Sequence, residues 1–264
     1  MTQTTAIAGD FLSLLAQHET RLFAQHPIGS MPNQTQATTV FAFHFAEGVL
    51  MAGDRRATAG NLIVTDKIEK ILEIDATSLL AIAGVPATAF EMARVLQTSF
   101  EYYRRSQLQP LSLAARVRAL ARLLRDNLPM TMQGVGIVVP LFAGVDFSEK
   151  SPAPHIYFYD PLGAQFQAVG HAASGSGSAS IRSIFAFHER HGTPRPSEMN
   201  RLEATRFALR LLMTASELDS ATGGVDPSSN QFATLKILTS SGIQTVSDSD
   251  QAAALATDPN ANAG

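Results

Sequence analysis

The apolar period of this chain changes four times along its length, and that order limits the folds open to it more than any single residue does. From Thr38 to Gly84 the apolar residues fall in short strand-type runs. From Phe90 to Leu128 they recur at helical spacing, and both patterns then repeat before a last strand-type pair, Phe232 to Val246. Strands, helices, strands, helices, strands is an α+β order, in which sheets stack and helices cover the outside. The first strands are the plainest: Thr38 to Phe45 and Val49 to Gly53, joined through Ala46-Glu47-Gly48 as a hairpin. Further strands are expected at Asn61 to Thr65, Lys70 to Ile74, Leu79 to Gly84, Val135 to Leu141, His155 to Tyr159 and Phe166 to Val169. Phe90, Ala93, Leu96, Phe100 and Tyr103 make one helical stripe. Leu113, Val117, Leu120, Leu124 and Leu128 make a second, with Ser112 as its N-cap and Pro129 as its stop. Two more helices are expected over Ser178 to Glu189 and Glu198 to Glu217.

Both ends differ from this block. Residues 1–37 offer a short amphipathic helix around Phe11 to Phe23 and a loop, too little for a domain, and the Ala, Asp and Asn tail over 248–264 reads as disordered. One domain is therefore the better division, and 264 residues with 45% apolar content suffice for its core. Twenty basic against 23 acidic side chains, a net charge of -3, argue against a phosphate-tracking surface, so no nucleic-acid partner is expected. With no Cys there is no disulfide, thiolate metal site or cysteine nucleophile, so a nucleophile would be oxygen or nitrogen. No apolar run approaches the roughly 18 to 20 residues of a membrane span, and a soluble, cytoplasmic protein is expected. His188 and His191 lack a third ligand, so no metal is expected either. Gly175-Ser176-Gly177-Ser178 opens a helix without the lysine of a phosphate loop or the third glycine of a dinucleotide fingerprint.

Thr38 by itself is an ordinary strand residue. Its neighbourhood is less ordinary: Gly53-Asp54-Arg55-Arg56-Ala57-Thr58 closes the hairpin, and Asp66-Lys67-Ile68-Glu69-Lys70 opens a later strand. These segments, with Thr38-Thr39-Val40, Ala81-Ile82-Ala83-Gly84, Gly175-Ser176-Gly177-Ser178 and Asp219-Ser220-Ala221-Thr222-Gly223-Gly224, keep an order and spacing that resembles the proteasome β subunit of actinobacterial type from Thr38 to about Val246. The resemblance implies a four-layer αββα sandwich of two stacked antiparallel sheets flanked by helices. It also implies a division into a propeptide over 1–37 and a catalytic domain over 38–247, with autolysis between Ala37 and Thr38. Thr38 would then be the N-terminal nucleophile, Asp54 and Lys70 its charged partners, and Gly84 an oxyanion donor. Ser176, Asp219 and Thr222 would steady the new amino terminus. Arg56 and Thr58 match the family's substrate-lining strand, and Ala57, Ile68, Leu72, Ile82, Pro86 and Phe90 its primary pocket, an apolar set suited to large apolar side chains before the cut. Two residues depart from the family pattern: Ala37 replaces the usual Gly, and Thr222 replaces Ser while keeping a hydroxyl.

The chemistry fits the residue types. A threonine hydroxyl needs a base, and a free α-amine with a pKa of about 7.7 to 8.0 can be one, whereas the amide of a precursor cannot. No cofactor is needed. The resemblance further implies heptameric β rings between rings of separate α subunits, an ATP-dependent unfoldase acting through them, and unfolded or tagged proteins as substrates. Two other readings share these residues: a non-catalytic ring subunit, and the two-ring bacterial threonine peptidase without α subunits. The first is disfavoured by the survival of Thr38, Asp54 and Lys70, the second by the chain length and the paired Arg55 and Arg56.

Overall fold

The computed structural model describes residues 38–59 and 62–257. The expected propeptide with its helix, and the last seven residues of the tail, lie outside the described residues.

Two five-stranded antiparallel sheets form the centre. In the first, β1 (Thr39–Phe45) and β2 (Gly48–Gly53) pair as the expected hairpin, with Val40 opposite Gly53 and Phe45 opposite Gly48. β10 (His171–Gly175) extends this sheet beside β1, and β11 (Thr234–Thr239) followed by β12 (Gly242–Thr245) extends it beside β2. The second sheet runs in chain order through β5 (Ile71–Asp75), β6 (Ser78–Ala81), β7 (Leu141–Asp146), β8 (Ala153–Tyr159) and β9 (Gln165–Ala168). A separate two-stranded piece pairs β3 (Ala57–Ala59) with β4 (Leu62–Thr65).

The period of two in β1 explains the layering, because both of its faces are apolar. Val40 and Ala42, with Val49 and Met51, pack against Ile71, Leu79, Ala81, Leu141, Ala143 and Val145 of the second sheet. Phe41, Phe43 and Phe45 point the other way, into the helices α4 (Ser178–His191) and α5 (Arg201–Leu218). The second sheet does the same on its outer side. Leu80, Phe142 and Tyr159 meet Ala89, Ala93, Leu96 and Phe100 of α1 (Pro86–Gln107) and Val117, Leu120 and Leu124 of α2 (Leu113–Asp126). The order helix, sheet, sheet, helix is the expected four-layer sandwich. Truncating a fully buried phenylalanine such as Phe43 to Ala in such a core costs about 3–5 kcal/mol.

Several boundaries differ from the sequence reading. Ser112 does cap α2, its Oγ accepting the Ala115 N–H at 3.3 Å. Pro129, expected to stop that helix, instead lies in the first turn of α3 (Leu128–Met132), where its missing N–H costs nothing. The strand expected over Val135 to Leu141 begins only at Leu141, because Pro140 has no N–H for the ladder. β10 was not expected at all: its Ala, Ser and Gly residues have little strand propensity, and β1 imposes the pairing. The expected disorder of the tail is corrected over Asp248–Ala256, which form α6. Ser247 caps that helix through the Asp250 N–H, and Gln251, fully buried, bonds to the backbone of Ala233 and Val246. These contacts stabilise a segment whose composition alone does not.

Candidate active site

Thr38 sits at the start of β1, 5% exposed, where the first sheet meets the segment before β5. Its carbonyl accepts the Ser176 N–H at 3.0 Å, and Thr39 pairs with Gly175. That approach requires glycine: Gly175 has φ of +94°, and a Cβ there would lie 1.6 Å from the Thr38 carbonyl oxygen.

Asp54 leaves the far end of the hairpin at the same level, because the register Val40 to Gly53 brings it alongside Thr39. Its N–H donates to the Thr39 carbonyl at 3.2 Å. Oδ1 accepts the Thr39 N–H at 2.9 Å and the Lys70 Nζ at 2.7 Å, and Oδ2 accepts the N–H groups of Arg56 at 3.0 Å and Gly223 at 2.9 Å. The Lys70 and Asp54 side chains are 2% and 0% exposed. Burying two charges costs several kcal/mol each, which the hydrogen bonds on both carboxylate oxygens offset. Burial pushes the Lys70 ammonium below the ordinary lysine range. Asp54, by charge and by hydrogen bond, restores part of this, and the Arg56 charge works against it. A desolvated lysine tied to a carboxylate beside a hydroxyl is a combination that marks reactive sites.

Ser176, Asp219 and Thr222, far apart in sequence, come together on the other side of Thr39. Ser176 Oγ donates to Asp219 Oδ2 at 2.5 Å and Thr222 Oγ1 donates to the same oxygen at 2.7 Å. Burial alone would raise the Asp219 carboxyl. The hydrogen bonds from Ser176, Thr222 and the Ala221 N–H, with the Lys70 charge, outweigh it and hold the group below the ordinary carboxylate range.

Gly84 reaches the cleft with φ of +113°, a conformation that suits glycine, and has no room for a Cβ, which would lie 2.1 Å from the Ile137 carbonyl oxygen. Val85 N–H donates to that carbonyl at 2.9 Å, and Val139 N–H donates to the Ala83 carbonyl at 2.8 Å. Gly84 and Val138 therefore form a bridge in which neither N–H points at the partner strand. The Gly84 N–H is left facing away from Ile137 to Val139.

One cavity brings together Thr38, Ala57, Thr58, Ile68, Lys70, Ile82, Gly84 and Pro86. Thr58 Oγ1 is buried without a hydrogen-bond partner among the described residues. Leu72 and Phe90, expected with this set, do not line it. Leu72 lies on the helix-facing side of β5, and both side chains pack against the cluster between the second sheet and α1 and α2. Arg56 does not line it either: its Nε bonds to Asp66 Oδ1 at 2.9 Å. The sequence reading missed Thr39, Gly177, Gly223 and Asp66 as supports: all four lie within the segments that carry the resemblance, but their residue types alone do not mark them. Among the described residues, the grouping with metal-type ligand atoms within 4.8 Å is Asp146, Glu149 and His155, at the β7–β8 turn. Asp146 there already accepts the N–H and O–H of Ser148. No described helix is long and apolar enough to cross a membrane.

Comparison with known proteins gives a consistent result. Residues 34–226 match the family described as "Proteasome subunit". The chain is 35% identical over 240 residues to "Proteasome subunit beta" of Acidimicrobium ferrooxidans, covering 90% of this chain and 85% of that protein. It is 38% identical over 227 residues to the protein of that name from Stackebrandtia nassauensis, covering 85% and 79%. A third, from Acidothermus cellulolyticus, is 35% identical over 242 residues, covering 90% and 81%.

Proposed function

The chain belongs to the proteasome subunit family, and on that premise we propose that it is a β subunit acting as a threonine endopeptidase, with Thr38 as nucleophile once residues 1–37 are removed by autolysis. The observation that carries this reading is the buried Lys70–Asp54 contact at 2.7 Å, with Lys70 lining the cavity that Thr38 also lines. In the processed chain the Thr38 α-amine takes the Oγ proton as Oγ attacks the scissile carbonyl carbon. The tetrahedral oxyanion receives the Gly84 N–H, a donor worth about 3–4 kcal/mol in the transition state. The amine then returns the proton to the leaving nitrogen, the peptide bond breaks, and an ester on Thr38 remains. Water, deprotonated by the same amine, cleaves the ester and restores Oγ–H.

Lys70 disfavours protonation of the amine and favours negative charge on Oγ. A unit-charge contact near 4 Å is worth about 4 kcal/mol at an effective dielectric near 20. The hydroxyls of Ser176 and Thr222, anchored by Asp219, hold the amine. An extended substrate pairs with the backbone of Thr58, and its side chain before the cut enters the space between Ala57, Ile68, Ile82 and Pro86. That wall is apolar, so large apolar side chains are preferred. Before processing, residue 38 has an amide in place of the amine, so the base and the exposed nucleophile arise in one step. The subunit assembles into heptameric β rings with separate α subunits, works in the cytoplasm, and receives unfolded or tagged proteins from an ATP-dependent unfoldase acting through the α rings.

The test is hydrolysis of a fluorogenic peptide panel by the assembled wild type and by Thr38→Ala. The reading predicts activity in the wild type, fastest after large apolar residues, and a loss of at least about 1,000-fold in the variant. Activity that persists in Thr38→Ala overturns the nucleophile assignment, and faster cleavage after acidic or basic residues overturns the pocket assignment.

A further inference from the structure

Thr39, fully buried beside the proposed nucleophile, is more than a strand residue. Its backbone N–H and carbonyl are both engaged with Asp54, at 2.9 and 3.2 Å. Its side chain serves the opposite group of residues. Oγ1 accepts the Gly177 N–H at 3.0 Å and lies 2.6 Å from Thr222 Oγ1. Counting protons fixes the direction of that second bond. Asp219 Oδ2 accepts from Ser176 and from Thr222, and a threonine hydroxyl has one proton to give. The proton between Thr39 and Thr222 is therefore that of Thr39.

We propose that Thr39 is a positioning residue for peptide hydrolysis: its hydroxyl donates to Thr222 Oγ1, commits the Thr222 proton to Asp219, and leaves a Thr222 lone pair to accept from the α-amine of processed Thr38. The inference rests on the reading of Thr38 as nucleophile and extends it by one residue. Without the Thr39 O–H, Thr222 Oγ1 keeps only its contact to Asp219 and loses the second partner that fixes its rotation, so its lone pair is held less firmly toward the amine. A chain of buried hydroxyls anchored on a carboxylate holds its direction only while each member is satisfied. The bland alternative is that Thr39 Oγ1 merely satisfies the buried Gly177 N–H, a structural task that would not act through Thr222.

The experiment is steady-state peptide hydrolysis by the assembled enzyme made from the full chain, with rates counted per exposed Thr38 amine. Thr39→Val keeps the β-branched shape and removes the hydroxyl. We expect kcat to fall about 10-fold with KM unchanged, and Thr39→Ser to recover to within about threefold of wild type. On a Thr222→Ala background, Thr39→Val is expected to add no further loss. Wild-type kcat in Thr39→Val, losses that multiply in the double variant, or a Thr39→Ser enzyme slowed about 10-fold each overturn the proposal. The Ser variant keeps this decisive if Thr39→Val does not assemble, since it removes only a methyl group. Thr38→Ala, run beside them, separates the role of Thr38 from that of Thr39. If it stays active, the nucleophile reading fails. If it is inactive while Thr39→Val is fully active, the role of Thr39 alone fails.

Discussion

Gly175 illustrates how tightly single residues set this site. Its missing Cβ is what lets β10 come within reach of the Thr38 carbonyl, and Gly175→Ala places a carbon 1.6 Å from that oxygen. Relief requires Thr38 to move, so we predict at least about a 100-fold loss of peptidase activity, because displacements near 1 Å cost that much. A rate measurement on the assembled variant checks it, and near-normal activity contradicts it. Asp219 adds a pH signature. Its folded pKa lies below the ordinary 3.8, so its stabilisation is present above the unfolded value and is lost as pH falls through the folded one. The stability difference between wild type and Asp219→Asn should be about 1 kcal/mol, modest because water screens a partly exposed carboxyl, and flat from pH 7 to about 5. It should shrink below pH 3.8. Urea titrations across that range test the sign. At this scale the charged neighbourhood drew notice to the Asp54 and Lys70 segments, whereas Gly84 and the Gly175 segment were picked out only through the resemblance. The sequence was silent on Thr39, since a threonine in a strand is ordinary until its hydroxyl is seen against Thr222. Leu72 and Phe90 fit the pocket set by spacing, but they do not line the cavity and pack, partly buried, against the cluster beneath α1 and α2.

Among the elements, the β1–β2 hairpin and the helices α1, α2, α4 and α5 were legible because each carries a long, regular apolar period. β10 and α6 were not, because their own residues do not favour them and long-range partners supply the stabilisation. α6 is held to the first sheet by Gln251, whose amide accepts from the Ala233 N–H at 3.1 Å and donates to the carbonyls of Ala233 and Val246. Gln251→Leu leaves three backbone groups without a partner in the interior, and should cost about 2–4 kcal/mol in denaturant unfolding. A loss under about 0.5 kcal/mol would mean that the helix is dispensable to the sheet. The same helix reaches the site region through Asp248, which pairs with Arg55 at 3.0 Å, next in sequence to Asp54. Arg55 also accepts the Ile68 N–H on its carbonyl, so the segment carrying Asp54 and the wall carrying Ile68 are fastened together.

For the whole molecule, the four layers bring Thr38, Asp54, Lys70 and Gly84 to one end of two stacked sheets, with residues drawn from both. Neither sheet alone makes the cleft, which ties chemistry to complete folding. The proposed order of events, folding, assembly, then removal of residues 1–37, keeps the unassembled chain inactive, because the base does not exist until the bond before Thr38 is cut. The most direct test is the intact mass and N-terminal sequence of this chain after co-expression with a candidate α subunit, beside Thr38→Ala. The account predicts loss of residues 1–37 and a new Thr-Thr-Val terminus in the wild type only. A chain that stays whole inside an assembled ring, or one that is trimmed identically in Thr38→Ala, would contradict it.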